Sequence, residues 1–112
     1  MEGQIKFVNI LGEIWRVEYR TLTRSDEDGY TDPENKTIVI RSDNVEGFDN
    51  FESAQRRWLR HEVIHAFHFE CGLGFNYQHK PMGIDETETD WFAYQYPRLK
   101  KAFIELGCDE EV

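Results

Sequence analysis

Apolar residues in the first 45 positions of the chain follow a period of two. In "EIWRVEYRTL", Trp15, Val17 and Tyr19 alternate with charged residues, a pattern that predicts a half-exposed β-strand. The stretch before it, "QIKFVNI", predicts another strand, although its alternation is less regular. Gly12 lies between the two stretches, so the pair is predicted to be a hairpin.

A third strand is predicted after a region rich in turn-forming residues. "SDEDGYTDPENK" contains Asp28-Gly29 and Asp32-Pro33, which indicate turns, and "KTIVIRS" follows it with β-branched residues. This strand is short and has charged flanks. We therefore expect Thr37 to Arg41 to form an edge of the sheet.

Beyond Val45 the pattern becomes helical. "DNFESAQRRWLRHEVIHAFHFECG" has no proline and no interior glycine, so it predicts one long helix that starts at Asp49 or Asn50 and stops at Gly72. "IDETETDWFAYQYPRLKKAFIELG" predicts a second helix, which Pro97 is expected to kink or divide. The predicted fold is α+β: a small twisted antiparallel sheet of about three strands packed on two helices, in a single domain of residues 1–112.

Composition and charge narrow the function classes. The 112 residues suit one domain, 39% of them are hydrophobic, and the formal net charge is -9. This charge argues against nucleic acid and anionic membranes as partners. The chain has no membrane-length apolar run and no signal pattern at its N-terminus, so a cytoplasmic location is expected. In a reducing compartment Cys71 and Cys108 are expected to be free thiols.

The first predicted helix contains His61-Glu62-Val63-Ile64-His65, an HExxH motif. Residues four apart lie on one helical face, so the two imidazoles can bind one metal ion. Zinc suits such ligands, and one Zn²⁺ per chain is predicted. Glu62 lies about 100° round the helix, where it can reach a metal-bound water as the general base without binding the metal.

A third ligand is available at the start of the second predicted helix. In "DETETD", Glu86 and Asp90 are four residues apart, so one carboxylate can bind zinc while the other holds a ligand imidazole. The alternative is that these acids only favour the helix N-terminus and solubility. That explanation is preferred for Asp85, Thr87 and Glu88.

"RHEVIHAFHFECGL" together with "ETETDWFAYQYPRL" resembles the small gluzincin-type zinc metallopeptidases, and most closely the compact, phage-type relatives of the ImmA/IrrE group. The resemblance covers the second half of the chain and extends loosely to "GYTD" and "KTIVI". Thr89 stands where the family usually has alanine. The resemblance implies a minimal zincin-like fold, in which zinc is bound by His61, His65 and Glu86. It also implies Glu62 as base and acid, and Asp90 as the residue that orients His61.

Several roles stay open at this point. A donor to the developing oxyanion could be His79 or Tyr30, with Tyr77 and Tyr94 as other candidates, although each is more typical of a surface or packing position. His68 is expected to be structural. The tail "LGCDEEV" could fold over the site and keep the protein latent.

Three functions are consistent with these residues. The leading prediction is a cytoplasmic zinc metallopeptidase that hydrolyses peptide bonds in a narrow protein substrate. The alternative from another class is a non-catalytic, zinc-stabilised protein-binding module, in which Glu62 has no catalytic role. The third is a metal-free interaction protein with a chance HExxH.

Overall fold

Four strands and two helices make up the described part of the chain, which comprises residues 4–24, 27–72, 86–106 and 108–109 of a computed structural model. The fold is α+β, as predicted. No helix in these described ranges is both long enough and apolar enough to cross a membrane. The elements in chain order are β1 (Ile5–Ile10), β2 (Glu13–Arg20), β3 (Gly29–Asp32), β4 (Thr37–Arg41), α1 (Phe51–Glu70) and α2 (Glu86–Glu105).

The predicted hairpin is confirmed. β1 and β2 pair antiparallel, with Ile10 opposite Glu13. Leu11 and Gly12 both have positive φ, 52° and 94°, which is the backbone conformation of a tight two-residue hairpin turn. The alternating residues of β2 that were predicted to share one side, Trp15, Val17 and Tyr19, are buried.

The sheet differs from the prediction in strand number and direction. It has four strands in the order β1-β2-β4-β3, and β2 pairs parallel with β4, so it is mixed where an antiparallel sheet of about three strands was expected. The additional strand, β3, lies inside the turn-rich stretch. Gly29 permits its pairing, because a Cβ there would lie 2.5 Å from the Val39 carbonyl oxygen. Pairing with β4 thus overrides the local turn signals.

The prediction that Thr37–Arg41 is an edge strand was wrong. β4 lies between β2 and β3, and Ile38, Val39 and Ile40 are fully buried. Three consecutive apolar residues are typical of a strand that is covered on both faces, whereas a half-exposed strand alternates. The edge beside the first helix is β3 instead.

Helix α1 has the predicted boundaries. Asn50 is its N-cap, and the Asn50 side chain accepts a hydrogen bond from the Ser53 backbone N–H at 3.1 Å. The helix ends at Glu70, and Gly72 has φ of 91°, the left-handed conformation typical of a helix stop. Its buried face packs on one face of β2 and β4 and forms the core, which includes Trp15, Val17, Tyr19, Ile38, Ile40, Ala54, Trp58 and Ala66.

Helix α2 continues through Pro97 and is not divided there. A proline has no N–H to donate to the carbonyl four residues earlier, which here belongs to Ala93. Ala93 is fully buried, so its carbonyl oxygen needs another donor. The Arg60 Nε of α1 supplies it, at 2.5 Å. One hydrogen bond thus offsets the proline and joins the two helices.

Candidate metal centre

Two imidazoles on α1 form the base of the site. His61 and His65 lie one turn apart, their ring centroids are 4.7 Å apart, and their Nε2 atoms are 3.1 Å apart. Burial lowers the pKa of His65 below its usual value, although the nearby Glu86 carboxylate opposes the shift. A neutral imidazole is the form that binds a metal. The predicted convergence of the two histidines is therefore present.

The first residue of α2 brings a carboxylate to the same point. Glu86 Oε1 lies 2.5 Å from His65 Nε2 and 3.7 Å from His61 Nε2. The ligand atoms of these three residues all lie within 4.8 Å of one another. This is the carboxylate that the resemblance implied, rather than Glu88.

The donor set fits a zinc ion. A tetrahedral site with bonds of about 2.0–2.1 Å separates its ligand atoms by about 3.3–3.4 Å. The Nε2 atoms of the histidines and Oε1 of Glu86 are separated by 3.1, 3.7 and 2.5 Å. The Glu86 side chain is 65% exposed, so it is free to move the small distance that an ion requires. Two nitrogens, one carboxylate oxygen and an open side are also the composition of a catalytic rather than a structural zinc site.

Asp90 lies one turn after Glu86 and contacts the other nitrogen of His61. The distance between His61 Nδ1 and Asp90 Oδ1 is 3.4 Å. A carboxylate in this position holds the ring so that Nε2 faces the ligand cluster. His65 Nδ1, by contrast, is buried and has no hydrogen-bond partner among the described residues. His61 is therefore the better oriented of the two histidines.

The Glu62 carboxyl is buried beside the ligand cluster. Only 8% of Glu62 is exposed, and the Thr31 hydroxyl of β3 lies 2.6 Å from Glu62 Oε1 and 3.1 Å from the Glu62 backbone oxygen. Burial raises the pKa of the Glu62 carboxyl above its usual value, and the hydrogen bond from Thr31 opposes the shift in part. A carboxyl with a raised pKa both accepts and returns a proton more readily near neutral pH.

These groups open into one cleft of about 660 Å³. His61, Glu62, Glu86 and Asp90 form one part of its lining, and Asp28 at the start of the edge strand lies in another part. A volume of this size is typical of sites for small ligands or short peptide segments. The cleft therefore gives solvent access to His61 and Glu86 of the ligand cluster.

A buried arginine holds the loop that forms the far side of the cleft. Arg41, at the end of β4, is only 1% exposed. Its Nε donates to the Glu27 backbone oxygen at 2.7 Å, its Nη2 donates to the Arg24 backbone oxygen, and its Nη1 lies 3.0 Å from the Asp43 carboxylate. The position of Asp28 in the cleft thus depends on Arg41.

Of the two predicted stabilisers of the transition state, the structure describes Tyr30, which is not brought to the ligands. The Tyr30 hydroxyl accepts a hydrogen bond from Arg20 at 3.3 Å, and Tyr30 lies on the opposite sheet face from its neighbour Thr31. His79 lies outside the described residues. Tyr94, a lesser candidate, does line the cleft.

His68 was expected to be a hydrogen-bonded structural residue. Its Nδ1 is buried and has no hydrogen-bond partner in the described part of the chain, and its ring packs against His65.

Thr31, which contacts Glu62, and Arg57, which lines the cleft, were not among the site residues predicted from the sequence. The Thr31 hydroxyl forms a hydrogen bond with Glu62, which is 31 positions later in the chain. Its segment, "GYTD", belongs only to the loose part of the family resemblance and gave no sign of this contact. Arg57 also lines the cleft. It lies four residues before His61, and therefore on the same helical face, so this spacing was a usable signal.

In comparisons with known proteins, no family model, curated protein or solved structure matches this chain. The resemblance to small zinc metallopeptidases therefore rests on the residues of the two motifs.

Proposed function

We propose that this protein is a zinc-dependent metallopeptidase of the zincin-like type, which hydrolyses peptide bonds in a narrow range of protein substrates. The observation that supports this most strongly is the convergence of His61, His65 and Glu86. This group lies at a cleft whose lining includes His61, Glu86 and Glu62. A bound zinc would supply Lewis-acid polarisation of a carbonyl and would lower the pKa of a water molecule.

Glu62 performs the proton transfers in this proposal. Its carboxylate takes a proton from the attacking water and then gives a proton to the leaving amine, so that the group ends in its starting state. The raised pKa supports both steps. Thr31 holds Oε1 of this carboxyl by a hydrogen bond, which leaves the other oxygen for the transfer.

The edge strand supports a peptide substrate in particular. β3 ends the sheet, and Thr31 in this strand contacts Glu62 directly. An extended peptide can add to such an edge through backbone hydrogen bonds. A peptide bound there would run beside the proton-transferring carboxyl, which is the arrangement that hydrolysis of its backbone requires.

The test combines metal analysis with a digest. We expect protein purified without chelator to contain about one zinc per chain. A proteome-derived peptide mixture incubated with it should gain new termini, detected by mass spectrometry. Glu62→Gln should keep the zinc and lose at least about 100-fold in cleavage rate, because general acid–base catalysis is worth about 10²–10⁴-fold.

Two results would contradict the proposal. Zinc without any cleavage would favour the zinc-stabilised binding module. Protein without zinc, even after incubation with the metal, would favour the metal-free interaction protein. Glu88→Gln is the control for the loss of a carboxylate. Glu88 is in the first turn of α2, as Glu86 is, but it is not one of the converging ligands, so this variant should keep both the zinc and the cleavage.

A further inference from the structure

A second cleft, distinct in its charge, adjoins the proposed metal centre. It has a volume of about 410 Å³ and is lined by Ser53, Arg57, Arg60, Tyr94, Pro97 and Arg98. We call it the basic cleft, because its lining includes three arginines and no acidic residue. The formal net charge of the whole chain is -9, so this concentration of positive charge runs against the general character of the molecule.

The three guanidinium groups are held without carboxylate partners. Arg60 Nε is bonded to the Ala93 carbonyl oxygen. Arg57 and Arg98 both contact the Tyr94 ring, at 5.7 and 5.9 Å from its centroid, as cation-π pairs. Within the described ranges, none of the three forms an ion pair with an acidic side chain.

Other arginines of the same protein are neutralised. Arg16 and Arg20 lie beside Glu18, and Arg41 lies beside Asp43. The basic cleft, in contrast, brings the guanidiniums of Arg57, Arg60 and Arg98 together. Guanidiniums that form no ion pair with a carboxylate can bind an anion. Arg57 also attracts Asp28, which lines the metal-centre cleft with it, and opposes the rise in the pKa of Asp28 that burial causes.

The basic cleft is continuous with the metal-centre cleft. Arg57 and Tyr94 line both. A peptide that passes His61 and Glu62 therefore has a neighbouring side chain, or its own end, within reach of the guanidiniums. Nucleic acid is a poorer match, since the positive charge is confined to one small cleft and does not form an extended basic stripe.

We propose that the basic cleft binds a carboxylate of the peptide substrate, and so selects peptides that carry a negative charge close to the cleaved bond. The carboxylate comes either from an acidic side chain or from the C-terminus of the substrate. This inference rests on the proposed peptidase function for the nature of the ligand, but it is tested by binding and not by cleavage.

The probes are three fluorescein-labelled mixtures of heptapeptides whose variable positions exclude Asp and Glu. The first has a central Glu and an amidated C-terminus, the second a central Gln and an amidated C-terminus, and the third a central Gln and a free C-terminal carboxylate. Binding is measured by fluorescence anisotropy on the full zinc-supplemented chain carrying Glu62→Gln, so that the peptides stay intact. A random single-stranded oligonucleotide is a fourth probe.

We expect one carboxylate mixture to bind about fivefold to tenfold more tightly than the neutral mixture, as for a charge-assisted hydrogen bond at a partly exposed site. Preference for the first mixture identifies an acidic side chain, and preference for the third identifies the terminal carboxylate. Arg57→Gln and Arg98→Gln should each reduce the preference to less than about twofold, and Arg57→Lys should keep part of it.

Arg56→Gln is the matched control, because Arg56 is exposed, adjacent to Arg57 and outside both clefts. It removes the same charge and should leave the preference unchanged. The proposal is overturned if no mixture binds, if the neutral mixture binds equally well, or if Arg56→Gln and Arg57→Gln act alike. Tighter binding of the oligonucleotide than of every peptide mixture would also overturn it. If the protein cleaves peptides but binds the carboxylate mixtures no more tightly than the neutral one, only this inference fails. If it binds a carboxylate mixture more tightly but cleaves no peptide, only the proposed peptidase function fails.

Discussion

At the scale of single residues, Thr31 positions the carboxyl that performs the proposed proton transfers. Its hydroxyl lies 2.6 Å from Glu62 Oε1 and is the hydrogen-bond donor to that carboxyl in the described part of the chain. The bond fixes the direction of a side chain that, in the proposed mechanism, would face a water molecule on one side and a leaving amine on the other. A small loss of alignment at such a group is expected to cost rate rather than fold.

We predict that Thr31→Val lowers kcat about 10- to 100-fold, the range for residues that orient a catalytic group from behind. Valine has nearly the same shape but no hydroxyl. Thr31→Ser keeps the hydroxyl and should recover most of the rate, and zinc content should be unchanged in both variants. The measurement is kcat on the best-cleaved peptide of the digest. Equal losses for serine and valine would contradict this role of the hydrogen bond, because serine keeps the hydroxyl.

Glu70 links the end of α1 to the sheet. Its carboxylate accepts hydrogen bonds from Lys36 Nζ at 2.5 Å and from Trp15 Nε1 at 2.7 Å. The Lys36 contact, and after it the Trp15 contact, hold the pKa of Glu70 below its usual 4.5. A carboxyl whose pKa is lower in the folded than in the unfolded state stabilises the fold above the unfolded pKa and loses this effect as the pH falls.

We therefore predict that Glu70→Gln lowers the thermal midpoint of the metal-free protein at neutral pH, and that its difference from the unaltered chain shrinks between about pH 5 and pH 3. Circular dichroism melts across this range provide the measurement. Glu105→Gln, an exposed change at the end of α2, is the control and should give no such convergence. A difference that stays constant with pH would exclude the ion pair as its cause.

At the scale of elements, Pro97 makes one of the polar contacts between α1 and α2 necessary. The proline leaves the buried Ala93 carbonyl without its helical donor, and Arg60 replaces that donor from the other helix. A buried carbonyl with no partner costs about 1–3 kcal/mol. Arg60 is thus part of the helix pair as well as of the basic cleft.

A double-mutant cycle tests this compensation. We predict that Arg60→Met lowers the free energy of unfolding by about 1–3 kcal/mol in the presence of Pro97. In a Pro97→Ala background the residue 97 N–H can bond the Ala93 oxygen, so the same change should cost clearly less. Urea unfolding of the unaltered protein, the two single variants and the double variant gives the coupling free energy between residues 60 and 97. Additive effects would mean that Arg60 stabilises the helices by its packing alone.

At the scale of the whole molecule, the proposed metal joins two parts of the chain that are separate in sequence. His61 and His65 belong to α1 and Glu86 to α2, and α2 contributes only one residue, Ala93, to the buried hydrophobic side chains of the described part. A ligand that binds only the folded state stabilises it by mass action, by about 2.7 kcal/mol at 100 times its dissociation constant. Zinc is therefore expected to stabilise the helix pair as well as to take part in chemistry.

We predict that a chelator lowers the thermal midpoint of the protein and that added zinc restores it, while His65→Ala has a lower midpoint that does not respond to zinc. His68→Ala is the control, because His68 is the next histidine of α1 but is not among the converging ligands. It should keep the zinc response. Differential scanning calorimetry with and without zinc measures the three thermal midpoints. If zinc raised the midpoint equally in the unaltered protein, His65→Ala and His68→Ala, the metal would bind at another site.

Some features follow from the sequence by itself because they depend on short-range geometry. The period-two pattern of β2 and the turn at Gly12 act over a few residues and were predicted correctly. The cap at Asn50 is also local, and it was one of the two candidates that the sequence offered. The spacing of His61 and His65 is equally local, since a helix brings residues four apart onto one face. His61, His65 and Glu62 could therefore be named from the spacing, whereas Glu86 was implied by the resemblance. Their metal and catalytic roles remain predictions.

Tertiary structure decided what depends on residues far apart in the chain. The insertion of β4 between β2 and β3 made β3 the edge, because strand order is a property of the whole sheet and local turn signals do not report it. It also brought Thr31 to Glu62 across 31 positions. The packing of α2 on α1 gave Arg60 its partner across 33 positions and assembled the basic cleft. Sequence alone determined which groups could do chemistry, and only the tertiary structure determined which groups position them, since that depends on contacts between distant segments.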